Sequence, residues 1–402
     1  MLNFKTPRKK NKVLLPEQIM SSGFCGYLYG KYIFSSGVFN VRFTSTEETG
    51  GRENTGDLIG IIYMGNEADG AFAEYKGRRD FLFGRRVSDD TITFTCNDEE
   101  FTVQYYNLIQ NIFSRNTGIL ESGVMMDKCA FILGCGSVGS LVALELARAG
   151  VGKFVLIDSD ILEYHNLCRH QCSIEDIGEY KTEAVKRRIV NINPAAEVVS
   201  LVKFVENVEE NIFDTYCKKD TAIIIGCADN RQADVYANSL AVIYGVPFIS
   251  IGLWERAFAG EIFYWLPNRS MPCYKCALGD GGDFSGRQST NRHIYTNQED
   301  ISRLNFEPGI SVDINFVTTI GVKLVIDILN IANEQYNQRL LPSLRQYTLI
   351  CNTNNTKAAG EMAEIFSYPL QVTTSLQVDF QKPCPPCEFA KSGKKHEDGN
   401  IP

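Results

Sequence analysis

The stretch 129–158 constrains the fold more than any other part of the chain. An apolar run, Cys129-Ala-Phe-Ile-Leu133, ends at Gly134-Cys-Gly136-Ser-Val-Gly139. A helical run follows with Leu141, Val142, Leu144, Leu146 and Ala147, and then a second apolar run, Lys153-Phe-Val-Leu-Ile, closes on Asp158. Short apolar runs bounded by glycine read as buried parallel strands. G-x-G-x-x-G at a strand-to-helix junction makes a tight turn and lets phosphate oxygens approach backbone N–H groups at the helix N-terminus. A carboxylate about 20 residues further on, at the end of the second strand, suits a ribose. The glycine pattern alone is weak. With a strand before it, a helix after it and Asp158 in place, it predicts a nucleotide site.

The chain after Asp158 continues the alternation. Helical patterns over 182–193, 207–218 and 231–244 separate apolar runs at 196–205, 221–228 and 247–252. This order predicts a Rossmann-like, doubly wound, mostly parallel α/β sheet. Residues 259–266 read as an antiparallel strand, 309–330 as an apolar helix and Leu349-Ile-Cys351 as a late strand. Residues 279–305 are polar and glycine-rich, a long loop of the kind that is usually functional or disordered.

The N-terminal part differs. Short β-like runs at 26–34, 38–43, 58–63, 91–95 and 101–103 predict a separate β-rich domain that carries no chemical motif. The expected organisation is a flexible lead over 1–20, a β-rich domain over 21–103 suited to substrate or partner recruitment, an α/β domain over 104–388 opening with helix at 104–128, and a disordered tail over 389–402. The 402 residues suffice for two or three cores, and the formal net charge of −8 argues against nucleic acid or an acidic membrane surface as partner. No run is long and apolar enough to span a bilayer. Thirteen cysteines without a secretory leader point to a reducing, cytoplasmic setting.

The charged residues beyond the second strand separate two nucleotide chemistries. A dehydrogenase needs the glycine loop, Asp158 and a hydride site. This chain adds Asn166, Arg169 and Lys181 after the second strand and Asp229 at the end of the fourth. Two cations and a carboxylate suit a triphosphate with Mg²⁺, the cations neutralising phosphate and the carboxylate holding the metal. The matching reaction is adenylation, in which a substrate carboxylate attacks the α-phosphorus of ATP and pyrophosphate leaves. Each residue has a plainer reading, Arg169 and Lys181 as surface cations and Asp229 as a helix N-cap.

The ordered motifs resemble the ThiF/MoeB/HesA family, the adenylating fold shared with ubiquitin-activating enzymes. They are the glycine loop, Asp158-Ser-Asp160, Asn166-Leu-Cys-Arg169-His-Gln, Gly178-Glu-Tyr-Lys181, Asn193-Pro194, Ala228-Asp229-Asn230 and Pro272-Cys-Tyr-Lys-Cys276. The resemblance implies a nucleotide site built from Gly134, Gly136, Gly139, Asp158, Asp160, Asn166, Arg169, Lys181, Asp229 and Asn230. It implies ATP and Mg²⁺ as cofactors and the C-terminal carboxylate of a ubiquitin-like protein or peptide as substrate. It also implies a homodimer, in which Arg115 of Phe113-Ser-Arg-Asn116 reaches the other subunit's ATP. Arg115, Arg169, Lys181 and Asp229 would be the catalytic set.

Cys273/Cys276 and Cys384/Cys387 form two C-x-x-C pairs, and four thiolates suit a closed structural zinc site. Free thiols, or a redox role for Cys384-Pro-Pro-Cys387, are the plainer readings. The resemblance implies zinc. Two departures stand out. Relatives that form a thioester often carry a cysteine before the last long helix, where this chain reads Asn305-Phe-Glu-Pro-Gly-Ile-Ser311. That absence resembles the microcin branch, which adenylates a peptide C-terminus. The family more usually sets its arginine directly before glutamine, but here His170 intervenes between Arg169 and Gln171. Two alternatives remain at this level: acyl or sulfur transfer through a cysteine such as Cys168, and a non-catalytic binding scaffold.

Overall fold

The computed structural model describes residues 9–21, 23–48, 56–65, 73–88, 91–254, 257–278, 309–351, 371–376, 378–380 and 384–392. The chain divides into two units, Met1–Ile112 and Phe113–Pro402.

The first unit is a closed barrel. Its strands are β1 (Lys12–Pro16), β2 (Gly26–Ile33), β3 (Val38–Ser45), β4 (Asp57–Met64), β5 (Leu82–Ser88), β6 (Thr91–Cys96) and β7 (Glu99–Tyr106). Their order is β1-β3-β2-β4-β5-β6-β7, and β7 pairs back onto β1. β6 shows why these residues make strand: Ile92, Phe94 and Cys96 point inward while Thr91, Thr93 and Thr95 face solvent. Asn97 and Asp98 both have positive φ, at 49° and 61°, the backbone of a two-residue hairpin turn whose twist matches the strands it joins. Val13, Leu15, Leu28, Phe39, Val41, Ile62, Leu82 and Phe94 fill the interior.

Several expectations for this part need correction. The lead expected to be flexible over 1–20 contains β1 and a short helix, Gln18–Ser21; residues 1–8 lie outside the described residues. β5 was not expected at all. The expected helix over 104–128 is overridden: Gln104 to Tyr106 complete β7, held by its ladder to β1, and only Leu108–Ile112 and Ser122–Met126 are helical. The division between units accordingly falls after Ile112, later than residue 103.

The second unit is the expected doubly wound α/β sheet. It holds β8 (Cys129–Leu133), β9 (Lys153–Ile157), β10 (Glu197–Leu201), β11 (Ala222–Gly226), β12 (Phe248–Leu253), β13 (Ala259–Trp265), β14 (Tyr347–Cys351) and β15 (Gln371–Leu376). Their order is β10-β9-β8-β11-β12-β13-β14-β15. The first five are parallel, and β13 to β15 add on antiparallel. Alternate residues of each strand enter the cores on the two faces. Ala130 and Ile132 pack with the helices Ser137–Arg148, Lys181–Ile192 and Ser311–Leu329. Cys129, Phe131 and Leu133 pack with Glu210–Tyr216 and Arg231–Tyr244, Phe131 stacking on Phe213 at 5.5 Å. Burying both faces explains why β8 and β11 are apolar throughout.

The chain runs outward from β8 to β9 and β10, then returns to lay β11 against the other side of β8. That reversal opens a crevice at the carboxyl ends of β8 and β11. The register sets Leu133 level with both Ile157 and Gly226, so the residues after each of these strands meet at one edge. The glycine-rich loop over 279–305 lies outside the described residues. Phe389 to Ser392, expected in a disordered tail, instead complete the helix Pro385–Ser392, whose N-terminus is fixed by Cys384 and Cys387 packing in the interior; residues 393–402 lie outside the described residues. No described helix is long and apolar enough to cross a membrane.

Candidate active site

A cavity of about 400 Å³ occupies this crevice. Of the residues expected at a nucleotide site, Gly134, Gly136, Asp158, Asp160, Asn166, Arg169, Lys181, Asp229 and Asn230 all line it. Gly139 does not, and its role is packing: a Cβ there would sit 1.8 Å from the Gly134 carbonyl oxygen, so only glycine lets the helix start this close to the loop. Gly134 turns at φ +88°, with the backbone of Ala228 2.9 Å from where a Cβ would stand. At Gly136 the same construction meets no protein atom within 4 Å. Gly136 caps the helix Ser137–Arg148 without a side chain, leaving the first N–H groups to whatever occupies the cavity.

Asp158 braces the loop. One carboxylate oxygen accepts the Cys135 N–H at 2.6 Å and the other accepts the Asp160 N–H at 2.8 Å. Burial pushes its carboxyl upward, while the Asp160 N–H, the Lys181 charge and the Cys135 N–H pull it back. Lys181 ion-pairs with Asp160 at 2.7 Å, and its backbone N–H donates to the Asp160 carbonyl, so the start of the helix Lys181–Ile192 is tied to the end of β9. The segment between them is fixed by Asp176, which accepts from the Ser173 N–H at 2.6 Å and pairs with Arg188 at 2.7 Å and Arg187 at 3.0 Å. Burial alone would raise Asp176; the Ser173 N–H and Arg188 outweigh it and hold the carboxyl at about 2. These bonds set the place of Asn166 and Arg169. Asn166 also caps a short 3-10 turn by accepting from Glu163 N–H at 2.9 Å.

Asp229 is exposed on the cavity wall. The helix N-cap is its neighbour Asn230, whose Oδ1 accepts from Gln232 N–H at 2.9 Å and Ala233 N–H at 3.4 Å. Capping was therefore the wrong plain reading for Asp229. Asp229 makes no hydrogen bond among the described residues.

Sequence reasoning missed part of the wall. Lys203, Phe204, Val205 and Glu206 enter from the end of β10, and Trp254, Ala257, Gly309 and Ile314 from the far side. The apolar run at 196–205 had been read as strand to its end, which hid a turn at the same carboxyl edge. Behind Trp254 lies a buried group equally absent from the motifs. Glu261 accepts from Trp254 Nε1 at 3.0 Å, from Tyr347 Oη at 2.5 Å and from Arg231 Nη2 at 3.1 and 3.2 Å. Arg231 Nε and Nη1 are buried without a hydrogen-bond partner.

Arg115 is elsewhere. It is exposed and lines a second cavity of about 320 Å³ with Asn116, Glu145, Arg148, Lys323 and Arg339, sharing no lining residue with the first. The four paired cysteines do come together. Cys273, Cys276, Cys384 and Cys387 are buried with their sulfurs all within 4.8 Å. Cys273 Sγ stands 3.3 Å from Cys384 and 3.8 Å from Cys276, and Cys276 stands 3.6 Å from Cys387. Zn–S bonds of about 2.3 Å in a tetrahedron space sulfurs by about 3.8 Å, so the donor set and its size fit a metal with no open position. The Cys273 N–H donates to Cys387 Sγ at 3.3 Å, a bond that favours thiolate there. Among the described residues Cys168 is the exposed free thiol; it donates to the His165 carbonyl and is outside the first cavity's lining. Burial pushes Cys172 up to about 12.

Comparisons with known proteins agree with this geometry. The chain is 37% identical over 152 residues to the sulfur carrier protein ThiS adenylyltransferase of Bacillus subtilis, covering 37% of this chain and 43% of that protein. It is 29% identical over 157 residues to the Escherichia coli protein of the same description, covering 39% and 60%. Against ubiquitin-like modifier-activating enzyme 5 of Dictyostelium discoideum it is 28% identical over 182 residues, covering 41% and 47%. The chain thus spans about half the length of these relatives. A crystal structure of E. coli MccB with MccA-N7isoASN aligns over 69% of this chain and 75% of that one, at 22% identity and a TM-score of 0.47, too low to bear on function. A profile of the ThiF family matches residues 125–364, a span that holds the glycine loop, every charged residue of the first cavity and the first cysteine pair, and the chain belongs to that family.

Proposed function

We propose that the chain is an ATP-dependent adenylyltransferase that activates the C-terminal carboxylate of a ubiquitin-like protein or peptide. The observation that carries this is the meeting of Gly134, Gly136, Asp158, Asn166, Arg169, Lys181 and Asp229 around one cavity at the switch point of the sheet. The descriptions of the relatives, adenylyltransferases and modifier-activating enzymes, support the same reading. Asp158 receives the ribose, and the open N–H groups after Gly136 receive phosphate. Arg169 and Lys181 bear on the β and γ phosphates, with Lys181 shared between them and Asp160. Mg²⁺ held by Asp229 would neutralise charge on the departing pyrophosphate. The substrate carboxylate forms a bond to the α-phosphorus, the bond to the β-phosphate oxygen breaks, and its electron pair leaves with pyrophosphate. The protein supplies position and charge, with no nucleophile of its own.

The remaining roles follow from that reaction. Arg115 lies apart from its own chain's nucleotide cavity, which suits an arginine that completes the site of a second copy in a homodimer. The four-cysteine cluster holds zinc as a structural clamp. The barrel recruits the substrate, and the protein works in the cytoplasm. Cys168, outside the cavity lining, has no part in the adenylation step. Pyrophosphate exchange with candidate carboxylates tests the proposal. Exchange should require a free C-terminal carboxylate and should fall at least a hundredfold in Asp229→Ala. Wild-type exchange in Asp229→Ala, or no exchange with any carboxylate, would refute it.

A further inference from the structure

His170 interrupts the Arg-Gln pair usual in the family, and the fold shows what it does there. It is 7% exposed and lines the nucleotide cavity. Its Nε2 lies 2.7 Å from the Cys135 carbonyl oxygen, and its Nδ1 lies 3.1 Å from the Cys172 backbone nitrogen. A carbonyl can only accept and a backbone N–H can only donate. The ring must therefore carry its proton on Nε2 and present a lone pair at Nδ1, which is the neutral imidazole. Both nitrogens are engaged, so His170 has none left for general acid or base work.

We infer that His170 is a positioning residue of the nucleotide site, a neutral clamp that fastens the glycine loop to the segment carrying Arg169. The peptide of Cys135 is gripped from both ends: Asp158 takes its N–H and His170 takes its carbonyl oxygen. One residue further, the Gln171 N–H donates to Ser140 Oγ at 3.3 Å, tying the same segment to the helix behind the loop. Arg169, next to His170 in sequence, inherits its distance from Gly136 through this joint. The role rests on the nucleotide reading of the cavity, but the clamp itself does not.

The charged surroundings decide how the clamp responds to acid. Lys181, from the helix after the segment, opposes protonation. Asp176, already bound by Arg187 and Arg188, favours it, and so does the bond to the Cys135 carbonyl. Arg169 flanks the ring in sequence, Asp158 faces it across the Cys135 peptide, and the thiols of Cys135 and Cys172 are buried. Burial is the largest influence and pushes His170 down. A proton at Nδ1 would also set N–H against the Cys172 N–H, so charging the ring breaks the joint.

The experiment uses the full chain labelled with ¹⁵N-histidine. Four histidines make the spectrum tractable, and the signal lost in His170→Gln assigns the residue. The expected result is an Nε2–H tautomer that stays neutral at pH 6. An Nδ1–H tautomer, or a charged His170 ring at pH 6, would overturn the clamp. Calorimetry with ATP at pH 7.5 then tests its consequence. His170→Gln keeps a donor for the loop carbonyl and should bind within threefold of wild type. His170→Asn can place its carbonyl near the Nδ1 position but is too short to bring its N–H to the Cys135 carbonyl, and should bind about tenfold more weakly, the scale of one buried hydrogen bond. Equal affinities for the two variants would overturn the positioning role. If wild type itself binds no ATP, the nucleotide reading fails, and the histidine spectra still decide the clamp.

Discussion

Glu261 offers the sharpest test of the energetics behind the cavity wall. Its side chain is 2% exposed and that of Arg231 is 15% exposed, and the two ion-pair beneath Trp254. Glu261→Met removes three acceptances at once. It strands a buried guanidinium, which costs about 3–5 kcal/mol, and it leaves the Trp254 and Tyr347 donors unmatched at about 1 kcal/mol each. Adding Arg231→Met removes the stranded charge while leaving those two donors unmatched. The double variant should therefore be more stable than Glu261→Met alone, by about 2 kcal/mol or more, even though it has lost more native groups. Equilibrium urea unfolding followed by tryptophan fluorescence measures this directly. The chain has two tryptophans, Trp254 and Trp265, both buried in the second unit, so the signal reports that unit without the barrel. A double variant less stable than Glu261→Met would refute the account, because it would mean that Arg231 contributes through contacts other than its pairing with Glu261.

Further outcomes follow from the same structure. Arg169→Ala and Lys181→Ala should each weaken ATP binding about tenfold or more, the scale of a charge-assisted hydrogen bond, and unchanged calorimetric affinity in both would remove them from the phosphate site. Metal analysis should find about one zinc per chain, and a strong chelator or Cys384→Ser should lower the thermal midpoint of the second unit; a midpoint unmoved by either would leave the cysteines as ordinary core thiols. Asp176 is held at about 2 against an ordinary 3.8. Its folded value is depressed, so its contribution is present above about pH 4 and is lost as pH falls toward 2, on the order of 1–2 kcal/mol. Asp176→Asn should narrow its stability gap to wild type between pH 6 and pH 3, and a gap constant over that range would contradict the pairing with Arg187 and Arg188. Cys168→Ser should leave pyrophosphate exchange within twofold of wild type, whereas a large loss would return that thiol to the reaction.

The cavity at the sheet's carboxyl edge was legible because Gly134, Asp158 and Asp229 follow strand ends, where short apolar runs announce themselves. Parallel pairing brings those ends to one edge, while Asn166 and Arg169 depend on the bonds of Asp176 for their place. Other features depend on partners far along the chain. β1 has only Val13 and Leu15 to mark it as buried, and its ladders run to β3 and β7. β5 carries Arg85-Arg86, two charges in a row that break the alternation of a half-buried strand. Yet Arg86 is 2% exposed, its Nη2 donating to the Ile19 carbonyl at 2.9 Å, a burial that no periodicity encodes. The pairing of Arg231 with Glu261 is likewise invisible in sequence, since both residues look like ordinary surface charges until β13 is laid beside β12. The cysteine pairs were legible as pairs, and only the fold brings one to the other.

The barrel's closure carries a practical consequence. Among the described residues Lys12–Pro16 joins the third strand to the seventh, bonded to each in parallel. A cylinder has no dispensable stave. Trimming the N-terminus past Lys12 would leave two raw rims of unpaired amide and carbonyl groups facing solvent, an invitation to neighbouring molecules to stack edge to edge. Shortened versions of this protein should therefore turn sticky.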